Sequence, residues 1–218
     1  SWGSPCEAKV VWEGVRWLPR LCQPLLNAFK PQFLESANHY ADLGDHRQQF
    51  AAFLTYTALG PTYGYTVDEF RGAIGALPQE GLEECAQALS QALEGAAYQR
   101  EDYWKNHVQP FWQNVWPKSR ELATQRIAES LTRLIIAARS EFPAALAAFQ
   151  DWLQPIEHPH YVVHLLHESG LCSKYSADAL HLLDAVIADQ QWAPRELGQC
   201  LDNIEQSSPE LAQDSSFQ

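Results

Sequence analysis

The stretch SRELATQRIAESLTRLIIAA, residues 119–138, decides the fold class. It carries Leu122, Ile127, Leu131, Leu134, Ile135 and Ala138 at helical spacing, and Ser119 stands in place to cap the first turn. The pattern repeats downstream. Pro143 opens a segment with Leu146, Phe149, Trp152 and Leu153, which Pro155 ends. His158 to Ser169 follows, closed by Gly170. Ser176 caps a run with Leu180, Leu183, Val186 and Ile187, and Pro194 opens one with Leu197, Cys200, Leu201 and Ile204.

Upstream the same period holds. From about Tyr98, the residues Trp104, Val108, Phe111, Trp112 and Val115 fall within one stripe about 100° wide. Pro110 predicts a kink there, because it lacks an amide and crowds the carbonyl of Asn106; Pro117 ends the helix. Pro78 to Gly95 carries Leu82, Cys85, Ala86, Leu89 and Leu93. Thr66-Val67-Asp68-Glu69 has the form of a capping box and opens a short helix with Phe70, Ile74 and Leu77. Asp45 is placed to cap a helix bearing Phe50, Phe53 and Leu54, and Gly44 to close the one bearing Phe33, Leu34, Ala37 and Tyr40. A second capping box, Ser4-Pro5-Cys6-Glu7, precedes Val11, Val15 and Leu18. No sustained period-two run argues for a strand. The expectation is an all-α chain of about eleven or twelve helices in antiparallel pairs, either an irregular HEAT-like solenoid or a helical bundle. The best candidate boundary lies near Gly95–Tyr98, dividing an N-terminal helical subdomain, 1–97, from a C-terminal helical-repeat-like one, 98–218.

The chain has 218 residues, 46% of them hydrophobic, so it can bury a sizeable core, which excludes wholesale disorder. Against 15 Lys and Arg stand 27 Asp and Glu, a net charge of −12. Such a body repels phosphate backbones, and no basic run exceeds two residues, so nucleic acid is not an expected partner. No apolar run is long enough to span a bilayer. The cysteines, Cys6, Cys22, Cys85, Cys172 and Cys200, are odd in number, widely spaced and lack a Cys-x-x-Cys pair. That pattern fits reduced, buried thiols in a cytoplasmic protein better than a disulfide framework or a zinc site. There is no Met, and the chain reads as a piece of a longer polypeptide.

Recognised catalytic spacings are missing: no G-x-S-x-G elbow, no phosphate-cradling glycine loop, no H-E-x-x-H. Glu83-Glu84 and Glu101-Asp102 are adjacent pairs that diverge on a helix and read as solvated faces. One cluster stands out. His158, His160, His164 and His167 crowd one segment beside Glu157 and Glu168, and His160, His164 and His167 share a helix face opposite Val162, Val163 and Leu166. Imidazoles at i, i+4 are able to share a divalent metal, but nothing at a recognised spacing completes a ligand set. A solvated or partner-contacting face is the simpler reading, and neither metal nor cofactor is expected. Among the tryptophans at 104, 112, 116 and 152, Trp116 lies at the edge of the aromatic stripe and joins His160, His164 and His167 as a candidate for an interaction surface.

Three stretches carry a resemblance: FWQNVWPKS (111–119), WLQPIEHPHY (152–161) and WAPREL (192–197). They resemble the helical carboxy-terminal domain of unknown function found in large bacterial proteins that begin with a sirtuin-like domain. The likeness spans about Tyr103 to Ala212, half the chain, and its motifs are structural rather than catalytic. It implies an anti-phage context in which NAD is depleted on triggering, by catalytic residues belonging to the sirtuin-like part. No functional residue carries over. The expected function is therefore a non-enzymatic sensor or scaffold module that binds other domains of its own polypeptide or another protein. The alternative is a helical enzyme or metal-binding domain using the His158–His167 cluster.

Overall fold

Residues 30–60, 64–187 and 193–213 are described in the computed structural model; the capping box at Ser4 lies outside them. The fold is all-α, about 80% helical, with no strand among the described residues. After a helical turn at 30–35 and a 3₁₀ turn at Tyr40–His46 come eleven α-helices within the described residues. They are α1 (Arg47–Leu59), α2 (Val67–Gly75), α3 (Gln79–Gly95), α4 (Arg100–Tyr103), α5 (Gln109–Asn114), α6 (Gln125–Ala137), α7 (Phe142–Phe149), α8 (His160–Ser169), α9 (Leu171–Lys174), α10 (Ser176–Ile187) and α11 (Leu197–Ser207). No helix among the described residues is long and apolar enough to cross a membrane.

The chain forms two compact units. The first holds the described residues up to Leu89 together with Lys105–Lys118; the second holds Ser90–Trp104 and the described residues from Ser119 on. The break expected between 97 and 98 falls inside the second unit.

In the first unit α2 begins as its sequence dictates. The Thr66 hydroxyl accepts the Glu69 amide, and the Glu69 carboxylate accepts the Thr66 amide at 2.8 Å. Lys30 completes the cap: its Nζ lies 2.7 Å from Glu69 Oε2, donates to the Gly64 carbonyl, and sits over the Tyr65 ring. The Lys30 hydrogen bond is the largest influence holding the Glu69 carboxyl below its usual range. Asp45 does not cap α1. It lies within the 3₁₀ turn, and His46 occupies the N-cap position without a side-chain capping hydrogen bond. Phe33 packs its ring edge-on against Phe50 and Phe53, and α2 packs on α1 and α5.

The aromatic stretch resolves its proline conflict in an unanticipated way. Upstream of Pro110, which occupies the first turn of α5, Trp104–Val108 winds as a π-helix. The wider turn accommodates the missing amide and the ring that would otherwise press on the preceding turn. Trp104 is buried in the second unit, edge-on to Phe149 at 5.6 Å, whereas Phe111, Trp112 and Val115 are buried in the first. Trp116 departs from expectation: it is 2% exposed and stacks on Trp112 at 5.2 Å. The helix stops at Asn114, so extrapolating 100° per residue fails beyond it. The Trp116 amide turns back onto the Phe111 carbonyl and folds the indole inward.

The second unit is built on α6, which packs against α7 and α8. Its N-cap is Thr124, whose hydroxyl accepts the Ile127 amide; Ser119 starts only a 3₁₀ turn, Arg120–Leu122, without a side-chain cap. α11 closes the unit by packing on α8, α9 and α10. Gly170, at φ 70°, ends α8 in the left-handed conformation that glycine adopts without steric cost. Cys85, Cys172 and Cys200 are buried free thiols. Burial pushes Cys85 up to about 12, so it carries no thiolate at neutral pH.

Two substitutions check these assignments by urea unfolding. Thr66→Ala removes the α2 cap and is expected to cost about 1 kcal/mol. Trp116→Ala is expected to cost about 3–5 kcal/mol as a core truncation, against less than about 0.5 kcal/mol for a surface residue.

Candidate functional site

Three faces run along α8. Val162, Val163 and Leu166 are buried and anchor the helix to the core of its unit. On the opposite side His160 and His164 are exposed, His167 is half-buried, and His164 Nδ1 lies 3.8 Å from Glu196. His158 stands before the helix, exposed, with Glu157 as its neighbour at 3.9 Å. Among the described residues no three His, Cys, Asp or Glu side chains converge as metal ligands. His160 and His164 thus share one solvent-facing surface, His167 is half-buried at its edge with Nδ1 out of solvent, and Trp116, the fourth candidate, is buried in the other unit.

The third face is the flank between these two. Tyr161, Leu165 and Glu168 recur at i, i+4 and i+7, within about 60° of one another. They form one wall of a cavity of about 240 Å³. The second wall is α6, which contributes Arg133, Ile136 and Ala137 at i, i+3 and i+4. Glu94 at the end of α3, Arg100 at the start of α4 and Arg139 after α6 complete it.

The three arginines are in unequal circumstances. Arg133 forks onto Glu94, with Nε 3.1 Å from Oε1 and Nη2 2.9 Å from Oε2. This bidentate pair neutralises both charges and fixes both planes. Ser90 adds a hydroxyl hydrogen bond to the same carboxylate. The Arg133 guanidinium lies 5.5 Å from the centre of the Tyr161 ring and holds it by a cation–π contact. Arg100 donates Nη2 to the Glu94 carbonyl oxygen at 2.9 Å, and its Nε is buried without a hydrogen-bond partner. Arg139 donates to the Ser169 carbonyl at 3.3 Å. Neither Arg100 nor Arg139 has a carboxylate partner within 4.0 Å among the described residues. Burial, and after it the like charge of Arg100, pull the Arg139 guanidinium below its usual range.

The turn that delivers Arg139 is firmly tied. Ser140 donates its hydroxyl to Glu101 at 2.9 Å, Tyr175 donates to the Ser140 carbonyl, and the Tyr175 ring stacks on Phe142. Arg139 itself has φ 56°, and Ala97, three residues before Arg100, has φ 48°. These are the two non-glycine residues with positive φ among the described ones.

No family model matches this chain, and neither the curated proteins nor the solved structures yield a match, so its site is read from its own geometry.

Holding a branched backbone in the left-handed region costs roughly 1–2 kcal/mol, and glycine there avoids that cost but adds about 0.5–1 kcal/mol of unfolded-state entropy. Arg139→Gly is therefore expected to raise stability by about 0.5–1 kcal/mol in urea titrations. A loss of stability would show that the side chain supports the fold more than the strained backbone opposes it.

Proposed function

We propose that this chain is a non-enzymatic protein-interaction module, the sensor or scaffold part of a larger bacterial cytoplasmic protein that acts in anti-phage defence. Its partner is another domain of the same polypeptide or a second protein. The observation that carries this reading is the outward side of α8, where His160, Tyr161 and His164 are exposed together. Tyr161 is 51% exposed and is held in place by Arg133. A tyrosine already ordered in the free protein loses little rotamer freedom on binding, and Tyr and Arg are enriched among interface anchors. The two imidazoles offer both donors and acceptors at the rim of such a contact. The anti-phage context rests on the likeness of residues 111–119, 152–161 and 192–197 to the helical region of sirtuin-like proteins.

The test uses the full-length protein in cells challenged with phage. His160→Ala/His164→Ala is expected to abolish protection while changing the stability of the isolated chain by less than about 0.5 kcal/mol, as exposed substitutions do. Unchanged protection by this variant, or by a protein lacking the region altogether, would sink the reading.

A further inference from the structure

We propose that the cavity lined by Arg100, Arg133, Arg139 and Tyr161 binds a phosphate monoester, with the phosphate held by Arg100 and Arg139. The charge balance of the cavity points to an anion. The chain carries 27 acidic residues against 15 basic ones. Arg133 is neutralised by Glu94, but Arg100 and Arg139 meet only backbone carbonyls. They stand close enough for one charge to disfavour the other. The Nε of Arg100 is a buried donor with no acceptor among the described residues, a group whose desolvation is left without compensation there. Both left-handed non-glycine residues lie in the turns that deliver these two side chains. Backbone strain of this kind persists where the surroundings over-determine it, and it clusters at functional sites.

The form of the anion follows from the same residues. The lining sets three guanidiniums against the carboxylates of Glu94 and Glu168, a net positive charge that suits an anion, and a phosphate monoester presents three acceptor oxygens to the planar forks of Arg100 and Arg139. A carboxylate, with two oxygens, does not engage both forks in a bidentate manner. Glu168, exposed on the α8 wall, sets the opposite limit: its carboxylate repels the additional charges of a di- or triphosphate. The volume of about 240 Å³ is below the roughly 300–1,000 Å³ of drug-sized sites and holds the phosphate with a small organic remainder. Ile136, Ala137, Leu165 and the Tyr161 ring supply the apolar surface for that remainder.

The proposal shares Tyr161 with the interaction reading above but does not rest on it. Isothermal titration of the 218-residue chain with ribose 5-phosphate, ribose and a phosphoserine peptide tests it. Saturable binding of at least one phosphate ester is expected, with none of ribose; whichever ester binds more tightly identifies the source as a free metabolite or a phosphorylated side chain. Arg100→Gln and Arg139→Gly are each expected to weaken that binding by about tenfold or more, the loss of a charge-assisted hydrogen bond. Glu168→Gln is expected to tighten it, and His160→Ala/His164→Ala to leave it unchanged. Arg139→Gly suits the left-handed backbone and Glu168→Gln is exposed, so both report on folded protein. Heats no larger than those of chloride at equal ionic strength would overturn the proposal. So would native affinity in both arginine variants, or loss of binding in the histidine variant.

Discussion

Seven of the eight residues from Leu131 to Ala138 are buried, and Arg133 is the exception. That constraint organises the second unit. A helix buried on almost every side leaves one direction in which a charged side chain reaches water, and a guanidinium at such a place must be paired. Glu94 pairs it from the last turn of α3. The remaining face of the guanidinium lies over Tyr161 and orders a side chain of α8. One ion pair on α6 therefore sets the spacing of the cavity walls and the orientation of the exposed tyrosine.

The all-α architecture was legible because its determinants are local. Helical periodicity, the Thr66–Glu69 box and the glycine after Ser169 each act within one turn, and each is found in the structure as the residues imply. Where the reading missed, it extended a local rule past its range. Leu122 lies off the stripe formed by Ile127, Leu131, Leu134 and Ile135, which is the signal that Thr124, not Ser119, begins α6. The angle assigned to Trp116 assumed a helix that had already ended at Asn114. The π-turn before Pro110 shows the proline conflict resolved by widening, an outcome that depends on the aromatic residues having cores to fill on both sides of it.

The arginine cavity was not legible, for a different physical reason. Its cations come from positions 100, 133 and 139, and no period relates them. Arg139 follows the end of α6 in a left-handed turn, so even its direction from the helix is not given by spacing. The two walls carry helical spacing, Tyr161, Leu165 and Glu168 on α8 and Arg133, Ile136 and Ala137 on α6, but nothing in the spacing brings Arg100 and Arg139 to them. The α8 flank is a strip of mixed chemistry between a histidine face and an apolar face, and strips of that kind border a cavity as readily as they border solvent. The histidines drew attention because they are clustered in sequence, whereas the unpaired arginines are clustered only in space.

Charge acts on this cavity at two ranges. The body carries −12, a field that disfavours the approach of any anion. Salt screens that field over about 8 Å at physiological ionic strength, so its opposition is felt mainly in dilute buffer. At the cavity Arg100 is half-buried and Arg139 is exposed, so salt screens the attraction of Arg139 as it screens the field of the body, and that of Arg100 least. A nucleic acid, which must lay many phosphates along the acidic surface, gains nothing from this arrangement. A single small anion at the cavity would instead meet two guanidiniums at short range, neither with a carboxylate partner among the described residues, which offset that acidic field locally.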